Sequence, residues 1–293
     1  MMDVLCVGHA SYDLIFSVPR QPDADDKLLA DGFLGCGGGP AANAAVTVAR
    51  LGLRASFAGY LGDDLFGERH LAELEAHGIT TELVVRGTNP TPLSVILVKP
   101  DGSRSLVNYK GQTAPLPADA FASVAPAARV VLFDGHEPLV SVDLLDSARR
   151  AAIPTVLDAG SLHAGTEALM GKVEHLVCSE KFARQWLGHD DPAAAVDRLA
   201  GLAPVVVVTL GDRGLLWRRG TEHGALGACP VVAVDTTGAG DVFHGAYAAG
   251  LALGLSWDRL LAYASAAGAL CCTRLGARSG IPSADEVATL LGA

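Results

Sequence analysis

The stretch Asp235-Thr236-Thr237-Gly238-Ala239-Gly240-Asp241 is the part of this sequence best equipped for chemistry. Gly-Ala-Gly stands directly before the amphipathic run VFHGAYAAGLALG. Small residues there leave the first-turn N–H groups of a helix open, so an anion can approach them closely. Asp241 falls in that first turn, where the helix dipole tolerates a carboxylate, beside whatever anion fills the nest. Phosphoryl transfer suits this pairing. The amides around Gly238, Ala239 and Gly240 would stabilise charge on the transferred group, while Asp241 takes the proton of an attacking hydroxyl. A bare GxGD would read as a Gly-rich turn with an ordinary helix-start Asp. The seven-residue context shifts that reading.

A second Gly-rich stretch, Gly35-Cys36-Gly37-Gly38-Gly39-Pro40-Ala41-Ala42-Asn43, opens a helix expected over Ala41–Leu51. It lacks the Lys-Ser/Thr of a P-loop and the GxGxxG of a dinucleotide fold. It offers close backbone approach to a polar ligand, with Asn43 as both amide donor and acceptor.

The bulk composition excludes several alternatives. The net charge of −10 argues against a nucleic-acid surface. No apolar run reaches the roughly 18 residues of a membrane span, and the N-terminus MMDVLCVGHA has no basic leader. A soluble cytoplasmic protein is expected. The six cysteines are scattered, without CxxC spacing, and read as reduced, buried thiols.

Elements that could position the two motifs follow from periodicity. VLCVG, RASFAGYLG, ARVVLFDG, PTVLDAG, HLVCS and PVVVVTLG read as buried strands. Helices are expected over 66–77, 141–152, 180–187 and 192–202, and the stretch 240–274 is almost wholly helical in pattern. Strands apolar on both faces, alternating with helices, predict an α/β fold with a parallel sheet covered on each side. Two segments break the rhythm, 13–35 and 91–112. In the second, SVILVKP and RSLVNYK flank Asp101-Gly102, a hairpin signal. A strand-built flap and a decorated sheet edge both explain them.

Together, GGGPAAN and DTTGAGDVFHGAY resemble the two signatures of the PfkB sugar kinase family, with a separation that also fits. The resemblance spans the whole chain, 1–293. It implies a ribokinase-like, Rossmann-type three-layer sandwich with a small β-sheet lid formed by the two odd segments, and a homodimer contact through that lid. It also implies ATP and Mg²⁺, with K⁺ a further candidate. By position, Asp13, Gly37, Gly38 and Asn43 match sugar-binding residues, Gly238, Ala239 and Gly240 the anion hole, and Asp241 the base. Thr209, Gly211 and Gly214, in TLGDRG, match a nucleotide-contacting turn, and Gly276–Pro282 a closing motif.

One departure concerns the metal. Where many members carry Asn-x-x-Glu, this chain has Ser179-Glu180-Lys181-Phe182, so the metal ligands stay unassigned and Ser179 is retained only as a nucleotide-side residue. A silent regulator that binds sugar or nucleotide is the rival from another class, and the intact Asp241 opposes it. Within the family, the branch most resembled is that of the 6-deoxy-6-sulfofructose kinases. That likeness implies a ketose substrate with Lys27, Asn108 and His136 near its anionic end, and Arg104 or Lys110 as substitutes for an arginine that His136 replaces. Ribose, fructose and nucleosides remain alternative acceptors.

Overall fold

A computed structural model describes residues 2–121 and 127–292. In chain order the first elements are β1 (Met2–Val7), β2 (Ser11–Ser17), β3 (Gly32–Gly38), α1 (Pro40–Arg50), β4 (Ala55–Gly62) and α2 (Leu65–Ala76). There follow β5 (Thr80–Gly87), β6 (Leu93–Val98), β7 (Arg104–Tyr109), β8 (Ala128–Phe133), α3 (Pro138–Arg150), β9 (Thr155–Ala159) and α4 (Ala164–Met170). The rest comprises β10 (His175–Ser179), α5 (Glu180–Leu187), α6 (Pro192–Leu199), β11 (Val205–Thr209), β12 (Leu215–Arg219) and β13 (Glu222–Leu226). Four helices close the chain: α7 (Ala239–Ala252), α8 (Trp257–Cys271), α9 (Ala277–Gly280) and α10 (Ala284–Leu291).

Nine strands form one sheet in the order β13-β12-β11-β10-β9-β8-β1-β4-β5. Its two faces separate along β1. Val4 and Cys6 enter the cluster that packs α1, α7 and α8, whereas Leu5 and Val7 enter the one that packs α3, α5 and α6. The period of two along a strand apolar on both sides produces that division. The seven strands from β11 to β5 run parallel, as the sequence predicts for all of them except β5, which it does not mark as a strand. The edge departs from the expectation: β12 and β13 are antiparallel. Their residues, LLWRR and EHGAL, mix charge with apolar positions because an edge strand is half solvated.

Segments 13–35 and 91–112 supply a separate four-stranded sheet, ordered β3-β2-β6-β7. The hairpin expected at Asp101-Gly102 joins β6 to β7 in antiparallel register. Gly245 brings α7 against α1, since a Cβ there would lie 2.7 Å from the Ala44 carbonyl oxygen. That contact sets the spacing between the two Gly-rich loops at the helices' N-terminal ends. Among the described residues no helix is long and apolar enough to cross a membrane.

Candidate active site

Asp235 pins the loop that leads into α7. Its Oδ1 accepts from the Thr237 N–H at 2.9 Å and the Thr237 hydroxyl at 2.7 Å. Its Oδ2 accepts from the Gly276 N–H at 2.8 Å. The loop is thereby pinned before the helix starts. Gly238 then turns the chain as the N-cap of α7, at φ 76°, a left-handed conformation that glycine adopts without steric cost. The Ala239 N–H folds back on the Thr236 carbonyl at 3.3 Å. Among the described residues, the amides of Gly238, Gly240 and Asp241 have no acceptor in the chain. Three donors at a helix mouth are therefore open to an anion.

Asp241 lies partly buried beside that mouth. Asn43, in the first turn of α1, donates from Nδ2 to its Oδ2 at 2.7 Å. Burial pushes the carboxyl up to about 7, with the buried Asp158 adding to the rise and the Asn43 bond opposing it. A carboxylate poised near neutrality is suited to accept a proton and release it again. Beneath it, the His244 ring rests between the Gly240 carbonyl, 2.6 Å from Nδ1, and the Val177 carbonyl, 3.1 Å from Nε2. His244 is a buried support for the helix start and does not line the cleft.

A cleft of about 260 Å³ opens in front of Asp241. Its roof is the small sheet, where Asp13, Ser94 and Asn108 lie in register across β2, β6 and β7. With one face of each strand directed inward, the three line the same cavity. Asp13 is 5 % exposed and accepts from the Ser11 hydroxyl at 3.0 Å. Burial raises its carboxyl, partly offset by the Ser11 bond and the nearby Arg278. At the far end, His136 is sandwiched between His9 and His163, with ring centroids 5.2 and 4.7 Å away. Burial, with His136 and Lys110 nearby, holds His9 well below the ordinary imidazole range. Arg104 and Lys110 also face the cleft, and Arg104 donates to the Thr236 hydroxyl across the gap.

Several sequence-designated residues converge here: Asp13, Asn43, Asn108, His136, Gly238 and Asp241 line one cavity. Lys27 does not join them. It is exposed in the irregular connection between β2 and β3, away from the lining. Nor does the backbone of Gly37 face the cavity, since its N–H goes to Glu73 and its carbonyl to Arg278. Gly38 acts by absence, because a Cβ there would lie 2.3 Å from the Asp13 carboxylate. Ser179 and Thr209 stand side by side at the ends of β10 and β11, outside this cavity. The Ser179 hydroxyl caps α5, accepting from the Phe182 N–H at 3.0 Å. Gly211 and Gly214 form the turn into β12, and a Cβ on Gly214 would collide with the Leu226 carbonyl. Ser11, Ser94, His9 and Thr237 were not singled out from the sequence. For Ser94 the available signal was its place in a strand facing Asp13.

A preformed metal cage is absent among the described residues, where no three His, Cys, Asp or Glu side chains cluster suitably. Glu180, which stands nearest to the missing motif, is paired with Arg213 at the surface. Asp235, next to the closing motif, already has its carboxylate occupied by the bonds above. The described residues therefore offer Mg²⁺ no cage of three such side chains.

Comparison with known proteins agrees with this architecture. A family model described as pfkB family carbohydrate kinase matches residues 1–284. The ribokinase of Bacillus subtilis is 29 % identical over 99 % of this chain and 100 % of its own length. Fructokinase-2 of Solanum habrochaites is 28 % identical over 89 % of each chain. Among solved structures, Thermotoga maritima ribokinase superposes with a TM-score of 0.87 at 27 % identity, covering 100 % of both chains. Arabidopsis thaliana ribokinase, complexed with ribose and ATP, gives 0.87 at 26 % identity over 99 % of this chain and 98 % of that one.

Proposed function

This chain belongs to the pfkB family of carbohydrate kinases, and from that premise we propose that it transfers the γ-phosphoryl group of ATP to a hydroxyl of a small ketose. The observation that carries the reading is the pairing at the α7 mouth: free amides of Gly238, Gly240 and Asp241 beside a carboxylate tuned to about 7. Asp241 takes the proton of the acceptor hydroxyl as its oxygen attacks phosphorus in line. The amides receive the charge that spreads over the transferred oxygens. Asp13, with Ser94 and Asn108 on the same roof, holds sugar hydroxyls. The small sheet acts as a lid that keeps water from the reacting phosphoryl group, with residues 13–35 and 91–112 as its two segments. Its outer face also serves as the homodimer contact. Mg²⁺ would accompany the nucleotide and help neutralise its phosphate charge, since the described side chains offer it no cage of their own. Ser179, Thr209, Gly211 and Gly214 flank the nucleotide at the sheet's end.

Ribose is the second reading for the acceptor, favoured by the ribokinases among the relatives. A sulfonated ketose is a narrower form of the first. Asn108, His136, Arg104 and Lys110 face the cleft and support it, while the exposed Lys27 lends nothing within one chain. A coupled ADP-release assay over ribose, fructose, fructose 6-phosphate and sulfofructose, with and without Mg²⁺ and K⁺, tests all of these. Fructose or its sulfonated derivative as the sugar of highest kcat/KM is the expected result. No sugar-dependent ADP release from any of them would remove the kinase reading.

A further inference from the structure

Arg278 is a buried cation without a part in the reaction described so far, only 5 % exposed. Its Nε donates to the Gly37 carbonyl at 3.0 Å and its Nη1 to the Ala42 carbonyl at 3.2 Å. Its Nη2 lies 2.9 Å from His70 Nε2. A guanidinium keeps its protons, so that imidazole nitrogen must be the acceptor and the His70 proton sits on Nδ1. Burial and the adjacent Arg278 hold His70 well below its ordinary range, in keeping with a neutral ring. Glu73 supplies the counter-charge, with Oε1 3.0 Å from the Arg278 Nε. The other oxygen of Glu73 accepts from the Gly37 N–H at 2.7 Å.

These partners are not scattered. Gly37 is at the root of the small sheet, near the end of β3, and Ala42 directly precedes Asn43. Asn43 in turn holds the Asp241 carboxylate. On its other side, the segment that carries Arg278 grips the anion loop. The Gly276 N–H binds Asp235, and the Ala277 Cβ lies 2.3 Å from where a Cβ on Gly238 would be. One short segment thus touches both Gly-rich loops. We propose that Arg278 is a positioning residue that couples the acceptor pocket to the phosphate nest, so that filling one tightens binding at the other. The proposal rests on the kinase reading above. Chains of packed and hydrogen-bonded groups can carry coupling between two sites, and Gly37–Arg278–Gly276–Asp235 is such a chain. The effect is reciprocal: sugar strengthens nucleotide binding by the factor by which nucleotide strengthens sugar binding.

The test is calorimetric titration of ADP into the full chain, with and without a saturating sugar that supports turnover. Wild type is expected to bind ADP at least about fivefold more tightly with sugar present, the lower end of common coupling factors. Arg278→Met alone would strand the Glu73 charge, so the variant of choice is Arg278→Met with Glu73→Gln. In it the sugar-induced gain should fall below about twofold, while each ligand alone still binds. Equal gains in the wild type and the double variant, or no gain in the wild type, would overturn the proposal. If the double variant does not fold, hydrogen exchange on the wild type decides. ADP alone should slow exchange of the amides of residues 37–43, and an unchanged rate there would overturn the coupling. A wild type that phosphorylates no sugar would instead defeat the kinase reading, which is a separate result.

Discussion

Replacing Asp241 with asparagine should abolish most activity and at the same time stabilise the protein, in a pH-dependent way. The carboxyl rises from an ordinary 3.8 to about 7 in the fold, chiefly through burial. The native state therefore binds this proton more tightly than the unfolded chain does. Its stability contribution is present below pH 3.8 and is lost as the pH climbs to about 7. At ~1.36 kcal/mol per pH unit, the loss is on the order of 4 kcal/mol above pH 7. A carboxamide cannot ionise, so the Asp241→Asn variant escapes that loss. Worked from the same two values, its advantage is about 1 kcal/mol at pH 4.5 and about 4 kcal/mol at pH 9. At about 2 °C per kcal/mol for a chain of this size, thermal melts without ligand should differ by ~2 °C and ~8 °C. Turnover should drop at least about a hundredfold, the loss expected for a general base. From sequence alone little stability change would be expected, because burial of the carboxyl is not visible there. An advantage of equal size at both pH values, or a variant less stable at pH 9, would refute the account of Asp241 as a desolvated carboxylate. Undiminished turnover would remove it from the role of base.

Other outcomes follow from neighbouring contacts. Asn43→Ala removes a charge-assisted bond worth about 1.5–3 kcal/mol, so the acid limb of kcat/KM should move up by roughly one to two pH units. A pH profile with an unmoved limb would count against that bond. Gly38→Ala places a Cβ 2.3 Å from the Asp13 carboxylate, so the KM for sugar should rise about tenfold or more while the KM for ATP holds, as initial-rate kinetics would show. Glu180→Gln only breaks a surface pair with Arg213, and a Mg²⁺ titration of turnover should shift less than about twofold.

The parallel strands and their helices were legible because burial on both faces leaves long β-branched runs, as in PVVVVTLG. Local rules also bounded α5 well: Glu180–Leu187 is the predicted span, opened by a Ser cap and closed by Gly188 in a left-handed turn. By contrast, β5, β12 and β13 went unrecognised, since partly solvated strands mix polar and apolar residues without a strong period. Within the site, DTTGAGD pointed to open amides because amide exposure at a helix start is a local property of small residues. Positional likeness could not show that Lys27 is exposed away from the cleft or that the Gly37 backbone is already paired. A lysine carries no mark of whether its loop reaches the cleft, and a glycine none of whether its amide is already taken.

What the sequence determined, then, is the chemistry that proximity along the chain can define: a Gly-Ala-Gly turn followed at once by an acid. What only the tertiary structure decided is how that acid behaves. Its elevated proton affinity arises from burial, tempered by the bond from Asn43, 198 positions away along the chain. The alignment of Asp13 with Ser94 and Asn108 likewise exists only once three strands pair in one register. Desolvation and register belong to the packed assembly, and no local stretch of residues encodes them alone.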